Sequence, residues 1–328
     1  MIPVAVNAQN YAAVLQYDGT AYRGWQRQGG RIPTVQGCLA AVLSRLAGST
    51  VPIAGSGRTD AGVHALGQVA SFESGFRPSL GELWNALNAL LPPDIRVSHL
   101  GLVPPGFHAR YSAVAKTYFY QVHLGPFLPP QRYRSFLHER GELDLTAMRR
   151  AATHLVGRID CRSFSTACTR RIDTVRQVKS MRILRVPSGV RIFVTADGFL
   201  YNMVRGLAAV LLAVGRGKLA PDDVRQLRDA ADRRLAPPTP PAHGLFLWRV
   251  AYPLSLLVPE MAGAGGGERR AVGTLVRGWR LGSEGRCVED GRKQPLSSCR
   301  SAWLTGFHHD VTSRNARGRT REETPRES

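Results

Sequence analysis

The feature that most constrains the fold is an order of strand and helix patterns that occurs twice along the chain. The first copy predicts, from its apolar spacing, a strand at 11–19, a helix at 34–48, strands at 51–54 and 67–74, a helix at 79–91 and a strand at 94–104. The second copy predicts a strand at 116–125, a helix at 143–157 that Gly157 closes, a hairpin at 174–198, a helix at 199–215, a shorter helix from Pro221 and a strand at 244–253.

This repeat predicts an α+β fold made of two tandem ferredoxin-like (βαββαβ) halves, whose strands form an extended, mostly antiparallel sheet flanked by helices. The predicted boundaries are 1–107 for the first half and 108–253 for the second. Residues 254–328 are rich in Gly, Arg and Ser without a sustained period, which predicts a low-complexity, disordered tail of no assigned role. A βαββαβ repeat hosts many activities, so function has to be argued from particular residues.

The charge points to a polyanionic partner. The 328 residues hold 44 Lys and Arg against 24 Asp and Glu, a net charge of +20, most of it before residue 254. Nucleic acid and an anionic membrane surface both fit that balance. The longest apolar run, 206–215, reaches only about half of the ~20 residues that a membrane span needs. The five scattered cysteines and the lack of a signal-peptide pattern predict a reduced, cytoplasmic protein without a zinc site.

One glycine-spaced loop, GSGRTDAGVHA at 55–65, carries a single carboxylate, Asp60. Asp60 is either a turn aspartate or a nucleophile or base that Arg58 helps to keep ionised. On the second interpretation, Gly55, Gly57 and Gly62 let the backbone approach a ligand.

Three other kinds of site fit this loop less well: a metal site, a glycosidase site and a phosphate-binding loop. Asp60 and His64 have the spacing of two metal ligands, but no further cluster supplies the rest of a metal site. A glycosidase needs a second carboxylate, for which Asp18, Asp160 and Asp197 are candidates that nothing in the sequence distinguishes. The loop also lacks the GK[ST] ending of a phosphate-binding P-loop.

Three further stretches carry residues suited to RNA. In YDGTAYRGWQRQ (17–28), Trp25 either anchors the loop or belongs to a binding surface on which Arg23, Arg27 and Gln28 contact phosphates or base edges.

In KTYFYQV (116–122), Lys116, Tyr118 and Tyr120 share one strand face, which is either a half-buried sheet face or a platform for base stacking. In FLYNMVRGL (199–207), Arg205 lies inside an apolar helix and needs a partner anion, for which Asp60 is the expected residue.

Together these stretches resemble the TruA family of tRNA pseudouridine synthases. The resemblance runs from about residue 11 to 253 and rests on GRTDAGVHA, YDGTAYRGWQ, FHARYSAVAKTYFY, GFLYNMVR and PPAHGLFL. It implies that Asp60 is the catalytic aspartate, which attacks or deprotonates the ribose, and that Arg58 fills the gap left by the extruded uridine. It implies that Tyr118 stacks on the flipped base and is a candidate acceptor of the C5 proton, that Arg205 forms an ion pair with Asp60, and that Leu245 packs in the pocket wall.

The resemblance further implies isomerisation of uridines 38–40 in the tRNA anticodon arm, no cofactor and no metal, a homodimer, and an active cleft between the two halves. Cys161 and Gly206 depart from the family's aromatic residue and asparagine, which bears on substrate positioning. The alternative function is an RNA-binding module or tRNA chaperone that has this fold and no catalysis.

Overall fold

The computed structural model describes residues 8–76, 78–166, 173–187 and 189–253, and the backbone alone at 261–263, 287–289 and 292–294. The described residues up to 263 belong to one compact unit, and the last two stretches belong to a second. Apart from the three backbone stretches, the tail predicted at 254–328 lies outside the described residues. The predicted boundary between the halves at residue 107 stays a prediction.

Each half of the folded region contains the strands and helices that its sequence pattern predicts. The first half consists of β1 (Gln9–Tyr17), α1 (Val35–Ala47), β2 (Ile53–Gly55), β3 (His64–Ser74), α2 (Leu80–Leu90) and β4 (Ile95–Leu102). The second half consists of β5 (Ala115–Leu124), β6 (Leu137–Glu139), α3 (Leu145–Thr153), β7 (Gly157–Asp160), β8 (Val175–Val186), β9 (Gly189–Ala196), α4 (Met203–Gly215), α5 (Asp223–Asp229) and β10 (Leu245–Ala251).

The strand order confirms the duplicated α+β architecture. Within the described residues, eleven strands form one sheet, in which the first half is ordered β4-β1-β3-β2 and the second half β10-β5-β9-β8. Both orders are fourth-first-third-second, as the predicted ferredoxin-like arrangement requires. All pairs are antiparallel except β5 with β6 and β3 with β10. A short strand β11 (Met261–Gly263) pairs with the outer edge of β4.

The two halves join where β3 and β10 run side by side. Their parallel pairing is short and places Phe246 opposite His64 and Leu247 opposite Ala65. Because β3 begins directly after the loop 55–63, this seam brings that loop next to the strands of the second half. The site described below lies at this seam.

Helix boundaries follow from residues that cap free backbone groups. Thr34 accepts a hydrogen bond from the backbone of Gly37 at the start of α1, and Gly48 ends that helix in the left-handed region at φ 68°. Ser79 and Glu82 form the predicted capping box at the start of α2.

Two predicted boundaries in the second half were wrong. Gly157 does not close the helix predicted at 143–157, because α3 ends at Thr153 and Gly157 begins the unpredicted strand β7. The helix predicted from residue 199 begins at Met203, because Asn202 adopts the left-handed conformation, φ 60°, and the hydroxyl of Ser165 binds the carbonyl of Tyr201.

The core of the second half lies between the sheet and α4. Within α4, every residue except Arg205 is buried. It contacts α3 and β5, and the side chains of Val190, Ile192, Val194 and Ala196 are fully buried on the same half of the sheet. In the described part of the chain, no helix has the length and apolar character to cross a bilayer.

The described part of the second compact unit is one strand pair. β12 (Cys287–Glu289) and β13 (Arg292–Gln294) pair antiparallel, with Val288 opposite Lys293.

Candidate active site

The loop that carries Asp60 is held by buried polar groups beneath it. The Ser56 hydroxyl donates to Gln68 Oε1 over 2.6 Å, and Gln68 Nε2 donates to the carbonyl of Gly57 over 2.9 Å. Both side chains are fully buried. A buried, fully paired amide fixes the backbone to which it binds, so β3 sets the position of the loop before Asp60.

The preceding loop, residues 18–28, packs against the other side of the loop that carries Asp60. The Trp25 amide donates to the Thr59 carbonyl over 3.0 Å, and the Tyr17 and Thr59 hydroxyls lie 2.8 Å apart. Gly24, at φ +88°, allows this approach, since a Cβ there would lie 2.4 Å from the Thr59 carbonyl oxygen. Trp25 is buried, which supports its interpretation as an anchor.

One expectation about the glycines was wrong. A Cβ at Gly55 would lie 2.3 Å from Trp25 Nε1, so Gly55 makes room for the indole ring and not for a ligand. Gly57 faces Lys116, whose Nζ lies 3.4 Å from the position of a Cβ there. Packing within the protein therefore explains Gly55, and for Gly57 and Gly62 the close approach of a ligand stays a prediction.

Asp60 is a half-buried carboxylate with few partners. Within the described residues its carboxylate oxygens accept no hydrogen bond, and its backbone carbonyl accepts one from the amide of Val63. Burial raises the pKa of Asp60 above its usual range, and the nearby charge of Arg205 partly opposes that rise. Within the described residues the Asp60 side chain caps no turn, so its contacts give no support to the interpretation as a turn aspartate.

Tyr118 comes to this carboxylate from the second half. It lies on β5 between Val194 of β9 and Leu247 of β10, is 6% exposed, and packs against the ring edge of Phe199 at 5.0 Å. Burial raises the pKa of Tyr118, and the charge of Asp60 raises it further. In the described part of the chain its hydroxyl makes no hydrogen bond, which leaves it available to a substrate.

Arg205 approaches from α4, the helix behind this strand. Its Nε donates to the Pro240 carbonyl over 2.9 Å and its Nη1 to Asn202 Oδ1 over 2.8 Å. None of the ion pairs among the described residues joins Arg205 to Asp60, so in this structure their coupling is electrostatic and not a direct salt bridge.

Lys116 and Leu245 complete the group at the seam. Lys116 is half-buried, and burial together with the charge of Arg110 lowers its pKa to about 8. Leu245 is 5% exposed and lies opposite Tyr120, whose hydroxyl donates to the Pro241 carbonyl over 2.8 Å. The structure therefore brings Lys116, Tyr118 and Arg205 of the second half to the loop that carries Asp60, and Leu245 lies on the neighbouring strand β10.

The other predicted residues lie at the surface. The side chains of Arg23, Arg27, Gln28 and Arg58 are exposed. Gln28 Nε2 donates to the Arg23 carbonyl over 3.3 Å, and Arg58 Nε donates to Gln26 Oε1 over 3.2 Å.

Sequence reasoning missed the supporting glutamines, Gln26, Gln36 and Gln68. A glutamine beside a strand or in a helix carries no sign of a partner that lies far away in the chain.

The alternative chemistries find little support. His64 is 3% exposed, burial lowers its pKa, and its ring accepts from the Gly19 amide and donates to the Arg134 carbonyl over 2.8 Å. Among the described residues no group of three or more His, Cys, Asp and Glu is placed to hold a metal ion.

The three candidate second carboxylates have structural partners. Asp18 accepts from the backbone of Thr20, Asp160 pairs with Arg162, and Asp197 accepts from the backbone of Gln177. Within the described part of the chain, the only charge that shifts the pKa of Asp60 is that of Arg205. The arrangement fits a single-carboxylate reaction better than a two-carboxylate hydrolysis.

Both departures from the family pattern lie in the core. Cys161 is fully buried, and burial raises the pKa of its thiol to about 12. Gly206 packs on the backbone of Phe164, where a Cβ would lie 2.1 Å from the carbonyl oxygen.

Comparisons with known proteins show the family to which the chain belongs. A family model described as tRNA pseudouridine synthase matches residues 13–112 and 151–253, more than half of the chain. The chain is similar to tRNA pseudouridine synthase A of Shouchella clausii, 41% identical over 253 residues that cover 77% of this chain and 97% of that protein. It is also similar to tRNA pseudouridine synthase A 2 of Bacillus anthracis, 38% identical with 74% and 99% covered. A third relative, tRNA pseudouridine synthase A of Bacillus subtilis, is 41% identical with 73% and 97% covered.

Proposed function

We propose, from the premise that this chain belongs to the tRNA pseudouridine synthase family, that Asp60 is the carboxylate with which it isomerises uridine in tRNA. The chain is an isomerase that acts on tRNA, and the inactive RNA-binding module is not favoured. One observation carries the assignment. Among the described residues, Asp60 is a half-buried carboxylate whose oxygens accept no hydrogen bond, and the charges of Tyr118 and Arg205 from the other half couple to it.

The reaction explains why so few groups are needed. The bond between N1 and C1′ breaks, the detached base rotates, a bond between C5 and C1′ forms, and the C5 proton leaves while N1 gains a proton. No electrons are exchanged with an outside partner, so the chemistry calls for no redox cofactor. Asp60 acts on the ribose, either as a nucleophile at the sugar or as the base that deprotonates it.

The groups of the second half prepare this carboxylate. Arg205 partly opposes the rise in the pKa of Asp60 that burial causes, and so favours the ionised carboxylate. Tyr118 stacks on the flipped base and is the candidate acceptor of the C5 proton. Burial raises the pKa of this phenol, so the hydroxyl is protonated in the free protein. It can take the C5 proton only as it releases its own proton to solvent, from which N1 gains one.

The remaining predicted residues bind the RNA. Lys116, two residues before Tyr118 on the same strand face, is placed to meet a phosphate beside the target nucleotide. Leu245 forms an apolar wall. Arg58 enters the gap that the extruded uridine leaves, because a base must leave its stack before an enzyme can reach it. Arg23, Arg27 and Gln28 extend this surface along the backbone of the RNA.

The finer assignments are proposals that rest on the resemblance. The substrate is the anticodon arm, and the modified uridines are those at positions 38–40. The protein works as a homodimer, and a tRNA substrate implies the cytoplasm as its place of action. Transcripts that carry a single uridine at one of these three positions test the site preference, and product at a uridine outside the anticodon arm alone would refute it.

The central assignment is tested by tritium release from tRNA labelled at uridine C5. Wild-type protein releases tritium. In Asp60→Asn and Asp60→Ala the rate of release should fall by a factor on the order of 10⁴ or more, which leaves no detectable release. Asp223→Asn, an exposed carboxylate in the first turn of α5, is the matched control and releases tritium at the wild-type rate. Tritium release by Asp60→Asn at the control rate would remove Asp60 from the mechanism. No release by any of these proteins, with tRNA binding retained, would favour the binding module.

A further inference from the structure

Arg58 is exposed, yet its guanidinium is bound by Gln26, which in turn is bound to Gln36, and we call these two glutamines the glutamine relay. Arg58 Nε donates to Gln26 Oε1 over 3.2 Å, and Gln26 Nε2 donates to Gln36 Oε1 over 2.7 Å. Gln36 Nε2 then donates to the carbonyl of Ile53 over 2.9 Å. The relay therefore runs from the loop that carries Asp60 through the loop 18–28 and α1 to β2.

The direction of every bond in the relay is fixed by its two ends. The Nε of arginine only donates, so the atom of Gln26 that faces it has to be the oxygen. The Gln26 amide nitrogen then faces Gln36, whose oxygen also accepts from the backbone amide of Arg27 over 2.8 Å. The remaining nitrogen of Gln36 faces the carbonyl of Ile53. A flip of either amide would place donor against donor, so the relay has a single arrangement.

The relay is also anchored at its backbone. Gln26 follows Trp25, the buried anchor, and the backbone N–H of Gln36 donates to the backbone carbonyl of Trp25 over 3.0 Å. The side chain of Gln36 is half-buried in the first turn of α1. Through its hydrogen bond to Gln26, Arg58 at the protein surface is thus connected to the loop 18–28, to α1 and to β2 before any RNA binds.

We propose that Gln26 and Gln36 are positioning residues that preset the guanidinium plane of Arg58 for entry into the base stack. The inference rests on the proposed role of Arg58 as the residue that replaces the extruded uridine. Arginine has many rotamers, and holding one of them in advance removes an ordering step from base extraction. Within the described residues neither glutamine side chain makes a hydrogen bond to Asp60, so we expect the relay to act on the extraction step and not on the chemistry at Asp60.

The experiment compares single-turnover rates on two anticodon-arm RNAs of identical sequence around the target uridine. In one RNA the target uridine is paired and stacked, and in the other it lies in an enlarged, unpaired loop. Gln26→Met and Gln36→Met keep the side-chain length and lose the hydrogen bonds. Gln226→Met, on the exposed face of α5, is the matched control. Gln36→Glu keeps the accepting oxygen and serves as the conservative variant.

We expect Gln26→Met and Gln36→Met to slow the reaction of the stacked RNA by about tenfold and that of the unpaired RNA by less than about twofold. Gln36→Glu keeps the oxygen that accepts from Gln26 but places its second oxygen against the Ile53 carbonyl, so it should retain more of the rate on the stacked RNA than Gln36→Met and less than the wild type. Fluorescence of 2-aminopurine placed beside the target uridine should rise more slowly in the Met variants, which reports extraction directly. Equal slowing on both RNAs, or a relay variant as fast as Gln226→Met on the stacked RNA, would overturn the proposal. A melting temperature of each variant separates these outcomes from loss of the fold.

Arg58→Met distinguishes failure of the relay from failure of the role given to Arg58. If Arg58→Met matches the wild type on the stacked RNA, the role of Arg58 is wrong and the relay falls with it. If Arg58→Met is slow and Gln26→Met is not, the role stands and the relay is wrong. In the double variant Gln26→Met/Arg58→Met, the loss equals that of Arg58→Met alone if the relay acts through Arg58, and a multiplied loss contradicts it.

Discussion

The two halves have the same strand order, yet they contribute to the site in different ways. The first half presents Asp60 and Arg58 from a loop, where one is half-buried and the other exposed. The second half presents Tyr118 from the buried strand β5 and Arg205 from α4, where Arg205 is the one half-buried residue of that helix. The carboxylate that we propose to be reactive thus lies on a loop, and the groups that tune it lie on regular elements.

This difference has an energetic consequence. Burial at the seam raises the pKa of Asp60 and Tyr118 and lowers that of Lys116, so each of these groups is shifted toward its uncharged form. Such shifts are typical of functional sites, where a charge is kept in surroundings that do not solvate it well. The second half creates these surroundings, and the hydrogen-bonded loops of the first half keep Asp60 in them.

Substitution of Tyr118 should have the largest effect on what the second half contributes to the reaction. Tyr118→Leu, which loses both the stacking surface and the hydroxyl, should lower the single-turnover rate by roughly 10³-fold. Tyr118→Phe keeps the ring and should lose on the order of 10²-fold, since proton transfer by a placed side chain contributes about that much. Quenched-flow tritium release measures both rates. A Tyr118→Phe protein as fast as the wild type would show that the hydroxyl takes no part in the reaction.

The packing of the first half is tested at Gly55. A methyl group there meets the Trp25 indole at 2.3 Å, so Gly55→Ala should destabilise the fold by about 1–3 kcal/mol and also slow the reaction by displacing the loop of Asp60. Gly81→Ala is the control, because a Cβ there has no neighbour within 4 Å and alanine is favoured in a helix. Thermal unfolding of the two variants gives the comparison. Equal melting temperatures would mean that the indole moves aside at little cost.

A smaller effect is expected at Lys116. Its pKa of about 8 means that the ammonium is present at neutral pH and is lost as the pH rises through that value. The kcat/KM of the wild type should therefore fall above about pH 8, and Lys116→Met should be about tenfold slower at pH 7 and lack this fall. Lys218→Met, at an exposed position after α4, keeps the wild-type profile. A basic limb that persists unchanged in Lys116→Met would belong to another group.

The sequence allowed most of the fold to be predicted because its signals are local. The Ser79 capping box and the Gly48 helix end lie beside the elements that they bound. Gly157 misled because a glycine after an apolar helix pattern fits a helix end as well as a strand start.

The candidate site was predictable as a set of residues and not as a structure. Asp60, Tyr118 and Arg205 belong to family motifs, so the resemblance identified them together. Contacts between distant segments were not predictable, because nothing local indicates that Gly55 meets Trp25 or that Gln26 meets Arg58. For the same reason, the sequence predicts room for a ligand at Gly55, where the structure has the indole ring of Trp25.

Arg205 of the second half should lower the pKa of Asp60 in the first half, and the pH dependence of the reaction rate measures this effect. The single-turnover rate is measured against pH for the wild type, Arg205→Met and Arg205→Lys. Since Arg205 lowers the pKa of Asp60, its removal raises that pKa, and the acid limb of Arg205→Met should move to higher pH. Arg205→Lys, which keeps a positive charge, should stay nearer to the wild type. An acid limb at the same pH in all three proteins would contradict the account.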